Sequence, residues 1–352
     1  MKILKFLLEI RFWTLNQLRV LLYFSESLFI RFYALALHGK NLPYRRYPIS
    51  KIIKIRLLMN NFIWEVSKLE AEKIVPRGSF FRINEFINHF FVLKLICKDV
   101  LKAFDRQREQ KSAEFSKEAK TYLNKLPVYY RRNFHYQTDG YLSNQSAQIY
   151  NCQVELLFSG TANLMRKMLF KRLAEAGYSK EKEYQILEIA CGNGVFTELL
   201  SKYFPKSKIL ATDISEPYIN YAKIKYSNYQ NISWQAFPAE EASKYLESEK
   251  KYDLIVSVYL FHELPLKIRK QILLESYQKL KKGGLFLALD SVQKNDQEGL
   301  NDVLENFPLD YHEPFYKNYI ETPNKDILLE AGFEDLVEEV CFFSKAFGGF
   351  RK

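Results

Sequence analysis

Short apolar runs and longer amphipathic stretches alternate along the second half of the chain, from Tyr184 onward. The runs Gln185–Ala190, Ser207–Asp213, Ile232–Phe237, Asp253–Tyr259 and Gly284–Asp290 have the length and character of buried strands. Between them, Val195–Phe204, Glu216–Ser227, Ala239–Glu247 and Leu266–Lys281 read as helices. Strands separated by helices need crossover connections, so the pattern predicts a doubly wound, mostly parallel sheet. A last strand is expected near Leu336–Phe343, with Ala346–Phe350 as its antiparallel partner.

The first 126 residues follow a different pattern. Apolar residues recur at three and four in Leu57, Leu58, Phe62, Ile63, Val66 and Leu69, and again in Phe86, Phe90, Phe91, Leu95 and Ile96. Pro43, Pro48 and Pro76-Arg77-Gly78 punctuate these helices, and Lys102–Lys125 reads as an exposed charged helix. Residues 127–160 are too rich in Tyr, Phe and His for a surface linker and are expected to cover something; a helix over Asn163–Ala176 follows and ends at Gly177. The chain thus divides into a helical region (1–126), an aromatic lid with a lead-in helix (127–180) and an α/β domain (181–352).

Charge sharpens this division. Residues 1–126 hold 24 Lys and Arg against 11 Asp and Glu, a net of +13, whereas the remainder nets −2. Such a region is either a solvated basic face or one drawn to an anionic surface, membrane or nucleic acid. The apolar opening, Met1–Lys40, does not read as a signal peptide, because Glu9 and Arg11 interrupt it. Ser25, Glu26, Ser27 and Arg31 argue against a spanning helix; an amphipathic helix at a membrane surface stays open. Cys97, Cys152, Cys191 and Cys341 are far apart, which excludes a disulfide framework, predicts no metal site and fits the cytoplasm.

Candidate chemistry begins at Ile186-Leu187-Glu188-Ile189-Ala190-Cys191-Gly192-Asn193-Gly194: an apolar strand, an acidic residue, a small-residue turn, then a helix. In an open parallel sheet this turn lies at the carboxyl edge, where ligands bind. Ala190, Gly192 and Gly194 admit a ligand close to the backbone. A dinucleotide fold would place a pyrophosphate here, which Glu188 would repel; a ligand carrying ammonium and sulfonium groups would be attracted, directly or through water. Asp213 ends the second strand, where a carboxylate can bind both ribose hydroxyls or, alternatively, cap the next helix.

Together these segments resemble the class I S-adenosylmethionine (SAM)-dependent methyltransferase superfamily over roughly Gln185–Phe343. ILEIACGNG is similar to its first motif, with Ala190 for the usual first glycine, and ATDIS to its ribose-binding strand end. Gln235–Glu241 is similar to the adenine clamp, with Pro238 where many members carry an acid, so backbone near Ala239 would read the base. DLIVSVYLFHELP and LKKGGLFLALD are similar to the fourth strand with its loop and the approach to the fifth. The resemblance implies a Rossmann-like seven-stranded sheet ending in an antiparallel hairpin, SAM as cofactor, and Glu188, Ala190, Gly192, Gly194, Asp213, Ile214, Ala239 and Ser257 as its binding residues. A narrower branch combines segments like His135–Tyr150, Phe261–Pro265, Asp290–Gln293 and His312–Tyr316; its acceptor is not assigned.

For the transfer itself, His262 and Glu263 follow the fourth strand and Asp290 ends the fifth, all at the carboxyl edge. His262 could serve as base with Glu263 orienting it, or the pair could simply serve the start of the next helix. His135, Gln137 and Asp139 before the core, and His312, Glu313 and Tyr316 in a long insertion, are candidates for the acceptor pocket. Arg166 reads as a surface ion pair. The leading expectation is a small aromatic or apolar acceptor under a lid built from 127–160 and 295–320. The alternatives are a protein or nucleic-acid methyltransferase docking through the basic region, and a non-catalytic SAM-fold protein. Nucleic acid is disfavoured by the absence of an N-P-P-Y-like motif.

Overall fold

The computed structural model describes residues 2–38, 47–78 and 83–352. Pro43 and the side chains of His38 and Phe86 lie outside the described residues. Seven strands form one sheet: β1 (Gln185–Ile189), β2 (Lys208–Asp213), β3 (Ile232–Ala236), β4 (Tyr252–Val258), β5 (Leu280–Ser291), β6 (Glu334–Cys341) and β7 (Ser344–Phe350). Their order is β3-β2-β1-β4-β5-β7-β6. The β1, β2, β3, β4 and β5 pairings are parallel, and β7 runs antiparallel to both β5 and β6. Strand order therefore reverses between β1 and β4, which opens a crevice at their carboxyl ends.

The helices are α1 (Lys2–His38), α2 (Ile49–Ala71), α3 (Ile83–Glu109), α4 (Lys117–Leu123), α5 (Asn144–Leu157), α6 (Ala162–Glu175), α7 (Val195–Tyr203), α8 (Glu216–Lys225), α9 (Ala242–Tyr245), α10 (Leu266–Lys279), α11 (Asn301–Asp310), α12 (Tyr316–Glu321) and α13 (Asn324–Glu330). Each face of the sheet carries its own apolar core. Ile186, Leu254 and Val256 point to one side, against Met165, Met168 and Leu169 of α6. Leu187, Ile189 and Ile255 point to the other, against Ile272 and Leu273 of α10. Phe62, Ile63 and Val66 of α2 enter the first of these cores, so the helical region and the sheet share apolar packing.

Four elements differ from the sequence reading. Lys102–Lys125 is not one exposed helix: α3 ends at Glu109, α4 begins at Lys117, and Arg106 is buried where it donates to Tyr136 O (2.8 Å). Residues 239–247 hold only a 3-10 turn and the short α9, because the buried Leu246 leaves the helix in extended conformation. Strand β5 starts at Leu280, four residues earlier than expected, and runs through the two glycines Gly283 and Gly284. Within 127–160 lies the helix α5, whose N-cap Ser143 accepts a hydrogen bond from Ser146 N–H (3.2 Å).

Candidate active site

Beyond β1 the chain turns through Ala190 (φ 54°), Gly192 (φ 55°) and Gly194 (φ 82°) into α7. Gly192 N–H donates to Asp213 Oδ2 (2.8 Å), and Ser215 N–H donates to Oδ1 (2.8 Å). The Asp213 carboxylate thus ties the β1 turn to the end of β2. Ser215, not Asp213, caps α8, its Oγ accepting from Tyr218 N–H (3.3 Å). A Cβ at Gly194 would lie 2.7 Å from Trp234 and 2.8 Å from Tyr226, whereas one at Gly192 would meet only Tyr150, at 3.7 Å. Gly194 is wedged beneath the turn, and Gly192 keeps the turn open to a ligand.

Ala190, Gly192, Asp213, Ile214 and Ala239 line a cleft at this switch point, as the sequence predicts. Ser257 does not: it is buried on β4 between Ile189 and Ala288, and Val258, Tyr259 and Leu260 form the wall instead. Side chains alternate along a strand, so the reading was displaced along β4. Glu188 is also buried outside the lining, and its Oε2 has no hydrogen-bond partner. Burial pushes the Glu188 carboxyl up to about 8, with the neighbouring Asp213 charge adding to the rise and Arg166 opposing it. Burial likewise raises Asp213 to about 6, against the N–H groups of Ser215 and Gly192. Tyr129, Tyr130, Tyr141 and Tyr150 roof the cleft. The Tyr129 hydroxyl donates to Glu240, an acid in the clamp two residues beyond Pro238. The roofing tyrosines were not singled out from sequence; the aromatic density of 127–150 was the available signal.

A second, larger cavity, of about 630 Å³, lies beside the cleft and shares Tyr150, Tyr259 and Glu263 with it. His262, Glu263, His135 and Tyr316 stand at its polar end. His262 Nδ1 lies 2.6 Å from Asp290 Oδ1; the same carboxylate accepts from Phe261 N–H (2.6 Å) and Ser291 N–H (2.7 Å). These bonds fix the imidazole, with Nε2 3.9 Å from Glu263 Oε1. Burial disfavours charge on His262, but Asp290 outweighs it and raises the imidazole to about 10. Tyr141 donates its hydroxyl to Glu263 Oε1 (2.5 Å). Tyr316 shares a 2.7 Å hydrogen bond with Ser291.

His135 Nε2 lies 3.2 Å from Glu313 Oε1 and 3.7 Å from Glu263 Oε1. Burial opposes its charge, yet the two carboxylates raise it, while Glu313 is pushed to about 7 by burial. Ligand-type atoms of His135, Glu263 and Glu313 lie within 4.8 Å of one another, a spacing that a divalent cation could bridge and that a shared imidazolium also explains. His135 (φ 53°), Ala190 (φ 54°) and Tyr259 (φ 56°), which line the two cavities, are left-handed non-glycine residues.

Three acceptor candidates lie outside the lining of the cavity at His262. The Asp139 carboxylate accepts from Ser116 N–H (2.7 Å) and Ser116 Oγ (3.0 Å), closing the loop onto α4 outside the cavity. His312 packs at 5.5 Å against Tyr136, away from the cavity lining, with Nε2 buried and unpartnered. Gln137 donates to Ser146 Oγ (2.5 Å) and lines a smaller adjoining cavity rather than the one at His262. Arg166 is buried, not on the surface, and lies 3.6 Å from Glu155.

The donor set fits SAM: an open glycine turn, a carboxylate at Asp213 that lines the cleft at the end of β2, and the desolvated Glu188 carboxyl whose charge a neighbouring cation would restore. Residues 186–284 match the family model described as "Methyltransferase domain". Malonyl-[acyl-carrier protein] O-methyltransferase 1 of Ilyobacter polytropus is 31% identical over 193 residues, 53% of this chain and 69% of that protein. Malonyl-[acyl-carrier protein] O-methyltransferase of Bacillus cereus is 36% identical over 128 residues, 36% of this chain and 45% of that protein, so the chain spans less than half of this relative. Among solved structures, an O-methyltransferase family protein from Burkholderia thailandensis shares the fold at 10% identity, with a TM-score of 0.52 and 84% of each chain covered. Strand order, glycine turn and these relatives converge: the chain belongs to the class I SAM-dependent methyltransferase superfamily and is a SAM-dependent methyltransferase.

Proposed function

We propose that the acceptor is an elongated, largely apolar molecule bearing one ionisable hydroxyl, methylated on oxygen. The observation that carries this is the cavity of about 630 Å³, apolar along Val20, Ile55, Met59, Val154 and Leu304, with its polar groups gathered at His135, His262, Glu263, Ser291 and Tyr316 apart from Arg56 and Ser159. When bound, SAM supplies an electrophilic methyl group on a sulfonium. In its neutral form, which gains population as pH rises toward about 10, His262 takes the hydroxyl proton on Nε2, and Asp290 stabilises the imidazolium that results. Tyr141 holds Glu263 beside that position, and the tyrosine roof excludes water. Asp213 and the Ala190–Gly194 turn hold the nucleoside, while Glu188 counters the ligand's positive charge from beneath.

The names of the relatives agree in the atom methylated and favour a second reading, an acyl group presented on a carrier protein. Incubation with methyl-tritiated SAM and fractionated cell extract separates the two. Label in a solvent-extractable lipophilic product supports the first reading; label retained on a small carrier protein supports the second. Label found only in nucleic acid would overturn both. His262→Ala should lower turnover about 10²-fold while SAM affinity is kept.

A further inference from the structure

We propose that the protein docks on an anionic membrane surface through the outward faces of α1 and α2, and that the large cavity opens into that surface between them. The docking half stands on the helices alone. The portal half rests on the reading of the cavity as the acceptor site.

Helix α1 has 37 residues, roughly 55 Å at 1.5 Å per residue. One face is pinned to the body by polar anchors. Asn16 donates to Glu70 Oε2 (2.9 Å) and Ser67 Oγ (3.1 Å); Arg19 pairs with Glu155 (2.9 Å) and donates to Gly160 O (3.0 Å); Glu26 pairs with His89 (2.7 Å). By length and composition α1 could cross a membrane, but only 28% of its most apolar window is buried in the protein. The three anchors hold it against α2, α5 and α3, so it lies along the body rather than leaving it.

The opposite face is apolar and open. Phe6 (53%), Ile10 (37%), Leu21 (62%), Phe24 (51%), Leu28 (37%) and Phe32 (68%) are exposed. At about 100° per residue these positions share an arc of roughly a third of the helix, and no charged residue falls on it. Ile49, Ile52 and Leu57 of α2 are exposed too, beside Lys54 and Arg56. Two uncharged polar residues, Thr14 and Gln17, interrupt the α1 arc; the apolar patches on either side of them, flanked by Arg11 and Arg31, have the form of a helix lying in a lipid interface. Charge selects the occupant: residues 1–126 carry net +13 against −2 for the rest, which suits anionic headgroups. A soluble acidic partner would use the charge but leave the Phe and Leu side chains uncovered.

The portal follows from three shared residues. Leu21, Phe24 and Ile52 belong to the exposed faces and also line the cavity whose other end is His262. A lipophilic molecule in the bilayer could therefore enter without crossing water.

The test is flotation of the full chain with phosphatidylcholine vesicles, with and without phosphatidylglycerol. We expect flotation only with phosphatidylglycerol, reduced by salt. The double variant F6D/F32D lies outside the cavity lining and should weaken flotation at least about tenfold, with an unchanged circular dichroism spectrum. Absence of flotation on anionic vesicles overturns the docking. So does light scattering that shows a stable dimer, dissociated by F6D/F32D, with no lipid binding. Leu21→Trp should leave flotation intact but slow uptake of a vesicle-borne pyrene-labelled fatty acid about tenfold. Normal flotation with unchanged uptake overturns the portal and leaves the docking. Normal uptake with no labelled lipophilic product overturns the acceptor reading instead.

Discussion

Replacing Asp290 by Asn isolates the charge that holds His262. The side chains match in size, and an Asn carbonyl can still accept the Phe261 or Ser291 N–H. What is lost is the negative charge 2.6 Å from His262 Nδ1. Burial alone would lower the imidazole; Asp290 first, with the Glu263 and Glu313 charges behind it, raises it from 6.5 to about 10. At about 1.36 kcal/mol for each pH unit, this corresponds to roughly 5 kcal/mol between protonation states. Removing one partner of a buried pair costs about 3–5 kcal/mol. We therefore expect Asp290→Asn to lose about 3–4 kcal/mol of stability at pH 6. The folded value lies above the unfolded one, so the contribution is complete below 6.5 and fades as pH rises through about 10. Urea unfolding of both proteins from pH 6 to 10 should show a wild-type advantage that shrinks with pH. The base form of His262 should also be reached at lower pH in the variant, moving the alkaline rise of kcat/KM downward. A stability difference constant across this range, or an unchanged imidazole titration by NMR, would refute the coupling.

Three further outcomes follow from the cleft. Gly194→Ala should cost about 2–4 kcal/mol in urea unfolding, because strain at φ 82° adds to contacts of 2.7 and 2.8 Å; Gly192→Ala, 3.7 Å from its nearest neighbour, should cost about 1. Equal losses would mean the crowding at Gly194 is relieved by ring movement. Asp213→Ala should weaken SAM binding by about 1.5–3 kcal/mol in isothermal titration; an unchanged Kd would leave Asp213 as a brace for the turn only. SAM affinity should rise with pH up to about 8, because a cationic ligand binds the ionised form of Glu188, and Glu188→Gln should flatten that rise. A flat wild-type profile would detach Glu188 from the cofactor.

The strands were legible because their signal is local: a run of six or seven residues rich in apolar side chains, then a helical stretch, repeated. The turn at 190–194 was legible for the same reason, since small residues at a strand end are a backbone requirement that neighbours in space do not alter. Asp213 belongs with them, one strand end beside another. Helix α5 escaped because the aromatic residues just before it, Tyr129 to Tyr141, drew attention from a good N-cap at Ser143. In α3 the three-and-four spacing was visible, yet Phe90 and Phe91 are exposed while Val92 and Ile96 are buried. Periodicity marks a stripe, but which stripe is covered depends on the helices that arrive beside it.

The sequence by itself determined the alternation of strands and helices and the small-residue turn after the first strand, set by the period of apolar residues and by backbone sterics at small residues; the strand order, and with it the switch point, came from the tertiary structure. Only the tertiary structure decided which polar side chains meet. His262 finds Asp290 across two strand ends, Glu263 finds Tyr141 from 122 residues away, and Asp139 is consumed by Ser116. Side-chain chemistry acts over a few ångströms, and spacing along the chain does not report distance in space once the segments between are folded.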